Sequence, residues 1–127
     1  MRNVIHKDKA FSGFSVKDLD SAKRFYGEVL GLEVEAIPAG LQLKIGNGVL
    51  VYPKENHEPA SYTMLNFPVD DIDEAVADLK KKGVKFELYP SMTDDNGIAR
   101  GIASGQGPDI AWFKDPAGNI LSVLHEP

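Results

Sequence analysis

Cysteine is missing from all 127 residues, and that absence excludes thiol nucleophiles, thiolate zinc clusters and disulfides together. No apolar run approaches the ~18 residues that a membrane span requires, and the opening MRNVIHKD is too short and polar for a signal peptide. A soluble cytoplasmic protein with no membrane partner is the expectation. Basic residues are also scarce relative to acidic ones: 14 Lys and Arg against 19 Asp and Glu leave a net charge of −5. The densest basic cluster, Lys80-Lys81-Lys82, closes a helical pattern, where it complements the helix dipole, so no nucleic-acid partner is expected. Histidines number three: His6 before the first strand, His57 in a connector and His125 near the end. They read as structural or solvated, with His57 beside Glu55 and Glu58 the nearest approach to a metal binder.

What the chain does contain is a repeat. Val16-Lys17-Asp18-Leu19-Asp20-Ser21-Ala22 returns 53 residues later as Val69-Asp70-Asp71-Ile72-Asp73-Glu74-Ala75. With one residue dropped the match continues, Gly31-Leu32-Glu33-Val34-Glu35 paralleling Gly83-Val84-Lys85-Phe86-Glu87. Two copies of one unit follow. In the first, Lys9 to Val16 alternates as a strand and Asp18 is suited to cap a helix. Leu19, Ala22, Phe25, Tyr26, Val29 and Leu30 recur at helical spacing before Gly31, which supplies a left-handed cap. Three short strands are expected next, 32–37, 41–45 and 49–53, joined by Pro38-Ala39-Gly40 and Gly46-Asn47-Gly48. The second copy gives strand 62–69, helix 72–82, strand 84–89, a long loop to Gly107, and strands 109–114 and 119–125.

The expected fold is therefore α+β: two tandem βαβββ modules forming a cupped mixed sheet with helices on the outside. Module one spans about 9–53 and module two about 61–125, joined by the polar connector 54–60 within one domain covering 1–127. Each module alone has about 55 to 60 residues, a marginal size for an independent core. Asp18, Asp20, Asp70 and Asp71 are explained by capping, and Glu35 and Glu87 by their repeat-related strand positions.

The opening V-x-D-L-D-x-A-x-x-F-Y-x-x-V-L-G-L, its echo V-D-D-I-D-E-A, and the closing W-F-K-D-P-A-G-N-I-L resemble the vicinal oxygen chelate superfamily, which contains glyoxalase I, bleomycin resistance proteins and extradiol dioxygenases. The resemblance runs from about Ala10 to Leu124. In the catalytic members it resembles, a divalent metal is held by a first-strand and a fourth-strand residue of each module. The first-strand ligand lies seven residues before the capping aspartate, which lands on Phe11 and Met64. The fourth-strand ligand, usually glutamate, lies seven residues after the Asp of the D-P-x-G-N turn, which lands on Ser122; superposing Gly48 on Gly118 gives Tyr52. Phenylalanine cannot ligate, a thioether suits hard ions poorly, and a lone serine hydroxyl is weak. The resemblance with these departures implies no metal and no cofactor.

What remains is a cavity of rings, a thioether and two hydroxyls, suited to a small organic ligand. The candidate ligand-binding residues are Phe11, Tyr52, Met64, Ser122, Arg100 and Trp112, the last from the closing signature. Arg100 lies in the 91–107 segment, whose length favours a lid or binding loop over a passive connector. It could pair with an anionic ligand group, or with Asp94 or Asp95. Metal-independent sequestration of a drug or metabolite by a homodimer is the function expected. The alternative is a glyoxalase-like lyase or isomerase using Tyr52, Arg100 or a loop aspartate.

Overall fold

The computed structural model describes residues 4–127. The chain divides into two compact units, one ending at His57 and the other beginning at Glu58. The first carries strand β1 (Ser12–Val16), helix α1 (Leu19–Arg24), and strands β2 (Val34–Ile37), β3 (Gly40–Leu43) and β4 (Val49–Pro53). The second carries β5 (Thr63–Pro68), α2 (Ile72–Lys81), β6 (Ile98–Arg100), the short α3 (Gly101–Ser104), β7 (Asp109–Lys114) and β8 (Ile120–His125). The repeat is visible in topology: the sheets run β1-β4-β3-β2 and β5-β8-β7-β6. In each, the first strand lies parallel to the last, and the other pairs are antiparallel. Two tandem βαβββ modules of α+β class are thus present.

The aspartates start the helices as their positions predict. Asp18 accepts from the Asp20 amide at 3.1 Å and the Ser21 hydroxyl at 2.7 Å, and Asp71 accepts from the Glu74 amide at 3.0 Å. These bonds hold the Asp18 carboxyl below the usual carboxylate range, the Ser21 hydroxyl contributing most. The first helix does not stay regular. Phe25–Val29 forms a π-helical turn closed by Leu30 N–H to the Phe25 carbonyl at 2.9 Å, which admits an extra residue into the turn.

Strand alternation assigns the two faces of each sheet. In the first unit Val16, Leu41, Leu43, Val49 and Val51 share one face, are buried, and lie on the side of α1 with Ala22 and Tyr26. In the second, Ile98, Ala111, Phe113, Leu121 and Val123 do the same beneath Ile72 and Val76 of α2. Each helix thus covers one face of its own sheet, and burial of side chains this size stabilises by about 1.5–3 kcal/mol apiece. Gly40 is required where β3 begins: its φ is +149°, and a Cβ there would collide with the Val51 carbonyl oxygen.

The second unit departs from expectation at its edge. The strand expected over 84–89 is reduced to one bridge, Phe86 to Phe113, with Glu87 N–H donating to the Trp112 carbonyl at 2.8 Å. The edge position along the rest of β7 is taken by β6, from the segment expected to be a loop. Asp94 explains the change: its Oδ1 accepts from the Asn96 and Ile98 amides at 2.9 and 3.0 Å, and its own N–H donates to the Ile98 carbonyl at 2.8 Å. The chain therefore reverses at Asp94-Gly97 and delivers Ile98 into the core, where it is 1% exposed.

The closing D-P-x-G-N turn is a closed hydrogen-bond ring. Asp115 Oδ1 accepts from the Ala117 and Asn119 amides, both at 2.9 Å, and Asn119 Nδ2 donates to Oδ2 at 2.9 Å. The buried carboxylate is satisfied, and β8 starts in fixed register with β7.

Candidate functional site

The face of each sheet turned away from its own helix holds most of the residues singled out in sequence. In the first unit Ser15 pairs in register with Tyr52, and Gly13 with Leu50, on this face. Phe11 shares the parity of Gly13 and Ser15 but precedes β1 and is 66% exposed; Tyr52, on β4, is 39% exposed. Ser15 Oγ lies 2.6 Å from His57 Nδ1, anchoring the connector histidine to β1. That contact joins residues 42 positions apart, which spacing along the chain could not signal.

In the second unit three partners stand in a row across the sheet: Asn66 on β5, Ser122 on β8 and Trp112 on β7. Met64 lies two residues before Asn66, at the irregularity between Thr63 and Leu65 where the register of β5 against β8 shifts. Ser122 is fully buried, and its hydroxyl donates to Asn66 Oδ1 at 2.5 Å. Trp112 Nε1–H donates to Thr63 Oγ1 at 3.0 Å, while Tyr89 meets the indole edge-on at 5.5 Å between centroids and 78° between planes. Asn66, Thr63 and Tyr89 were not singled out from the sequence.

Arg100 is placed elsewhere. Its register partner is Asp109, whose parity is that of Ala111 and Phe113, so Arg100 lies on the helix-bearing side. Its Nη1 and Nη2 donate to the two carboxylate oxygens of Asp73 on α2 at 3.0 and 2.6 Å, and Nε donates to Asp94 at 3.3 Å. Of the two aspartates expected as loop partners Asp94 is engaged, and Asp73 joins it. The Asp73 carboxyl is held below the usual range by the guanidinium, and Arg100 is pushed upward by the same pairing. For Asp94 burial pushes the carboxyl up, but the Ile98 and Asn96 amides and Arg100 outweigh it. A cleft of about 420 Å³ borders Lys23, Arg24 and Gly27 at the π-turn, and one of about 530 Å³ borders Met92, Thr93 and Arg100.

The four positions that would supply metal ligands carry a phenyl ring, a phenol, a thioether and a buried hydroxyl already committed to Asn66. This donor set does not fit a divalent ion. Among the described residues no three His, Asp or Glu side chains converge as a metal site. His125 Nδ1 lies 3.0 Å from the Val69 carbonyl oxygen.

The profile of the Glyoxalase/Bleomycin resistance protein/Dioxygenase superfamily matches residues 12–123. The chain belongs to that superfamily. Solved structures agree on the fold. A Bacillus anthracis protein assigned to the glyoxalase family is 24% identical over 100% of both chains, with a TM-score of 0.72. TnmS3, an antibiotic binding protein from Streptomyces sp. CB03234, is 22% identical over 99% of this chain and 100% of that one, with a TM-score of 0.65. A superfamily member from Sphaerobacter thermophilus is 25% identical over 91% and 94%, with a TM-score of 0.65. No curated protein matches the chain. No helix among the described residues is long and apolar enough to cross a membrane.

Proposed function

We propose that this protein binds a small organic molecule without a metal, sequestering a drug or metabolite on the open sheet faces. The observation that carries the reading is Ser122: at the position where metal-using relatives resembled by the sequence place a carboxylate, a buried hydroxyl is spent on Asn66. The same face carries Trp112, with Tyr89 packed against it, and the polar groups of Asn66 and Ser122 in the same row, the composition of sites that hold apolar bodies by contact and orient them by a few hydrogen bonds. The similarity to TnmS3, an antibiotic binding protein, adds a related fold with that use. On the first unit by itself, Phe11 and Tyr52 are the exposed aromatic residues of the corresponding face in this reading. Cytoplasmic residence and a homodimer complete it; light scattering should give twice 13.9 kDa.

The test is a thermal-shift screen of antibiotics and aromatic metabolites in EDTA and in divalent metal. Compounds that raise the melting temperature in both buffers support it, since binding to the native state stabilises it. A screen without any stabilising compound overturns it. A second reading, a metal-free lyase or isomerase, draws on the Ser15–His57 contact next to Tyr52, an arrangement capable of proton transfer. It requires turnover in EDTA that Tyr52→Phe abolishes with the fold intact.

A further inference from the structure

The Asn66–Ser122–Trp112 row carries a statement about ligand class. We propose that it recognises planar aromatic molecules bearing an in-plane hydrogen-bond acceptor, with Trp112 as stacking surface, Asn66 as donor and Ser122 as the residue that positions Asn66. The proposal rests on the binding reading above and names what that face would bind.

Trp112 has one polar hydrogen, and Thr63 takes it. The indole therefore has only its apolar body and π system to present, and Tyr89 packs nearly perpendicular to it at 5.5 Å between centroids, which fixes the ring from a second direction. A flat, pre-oriented indole favours a flat partner, because stacking loses contact area as the partner bends. Asn66 has an acceptor and two donors. Its Oδ1 is occupied by the Ser122 hydroxyl at 2.5 Å, and Ser122 is fully buried and cannot swing to solvent. The exposed Asn66 amide is thereby held with its Nδ2 as the remaining polar group, and Nδ2 has no hydrogen-bond partner among the described residues. An N–H pair beside a fixed indole selects a ring carbonyl or ring nitrogen over a ring N–H.

The experiment is a nitrogen-15 NMR titration with coumarin, which is planar with an in-plane carbonyl, and with indole, which is planar and offers only a donor. The chain has one tryptophan, so a single indole N–H signal reports Trp112. Coumarin is expected to shift that signal and the Asn66 side-chain amide pair, binding about five- to tenfold tighter than indole, the value of one unshared hydrogen bond. Asn66→Asp retains the acceptor for Ser122 but removes both donors, and should bring coumarin down to indole. Ser122→Ala should collapse the same ratio while leaving indole affinity in place, a split that loss of packing alone would not produce. Should either variant unfold, Asn66→Ala replaces it with the same expectation.

Equal binding of the two probes overturns the proposal. So does a compound from the thermal-shift screen that binds while the Trp112 and Asn66 signals stay still, which leaves the sequestration reading standing on another surface. If neither the probes nor any screened compound binds, both readings fall.

Discussion

Ser122 and Arg100 show how far a side chain's meaning depends on what it is bonded to. As residue types, serine reads as a weak ligand and arginine as an anion clamp. In place, the serine is a buried donor to Asn66 and the arginine is a forked tie between Asp73 on α2 and Asp94. Both aspartates are pushed below the usual carboxylate range, so the folded state binds fewer protons than the unfolded chain there. The stability they contribute is complete above about pH 4, the ordinary carboxylate range, and is lost as pH falls through their lowered values. Melting curves between pH 6 and 2 should therefore show wild type losing stability in acid more steeply than Arg100→Gln. Parallel curves would remove the tie from any role in acid stability. Gly40 gives a conformational prediction at the same scale. Gly40→Ala sets a Cβ against the Val51 carbonyl in a backbone that disfavours side chains, and should cost more than about 1 kcal/mol by chemical denaturation.

At the scale of elements, the repeat made most of the architecture readable. Asp18 and Asp71 cap the helices they were expected to cap, and the parallel pairing of first and last strands recurs in both units. Local chemistry specified the caps; the parallel pairing is a long-range feature. The edge of the second sheet was not legible for the opposite reason. Val84 to Tyr89 has the pattern of a strand, yet only Phe86 bridges, because Asp94 and Gly97 turn a later segment back and Ile98 fills the edge core instead. The outcome depends on an Asp94 hydrogen-bond set that no periodicity encodes. Ile98→Ala should cost about 2–5 kcal/mol, and hydrogen exchange should accelerate across β6 before it does in β8. Uniform acceleration across the second unit would contradict β6 as a locally closing edge. Of the candidate site residues, Ser122 and Trp112 are register partners on one face, a placement that strand alternation implies, whereas Met64 sits where the β5 register shifts. Asn66 and Thr63 emerged only through contacts spanning 56 and 49 residues.

For the whole molecule, a superfamily fold is retained while the residues that the sequence resemblance assigns to metal-ligand positions, Phe11, Tyr52, Met64 and Ser122, form no donor set for a divalent ion. The proposed binding does not depend on a metal. Calorimetric titration of the best ligand from the thermal-shift screen tests it most directly, run once in EDTA and once with manganese or nickel in excess. Metal-independent binding should give the same Kd in both buffers within about twofold, a difference below about 0.5 kcal/mol. A Kd that weakens tenfold or more in EDTA would contradict it.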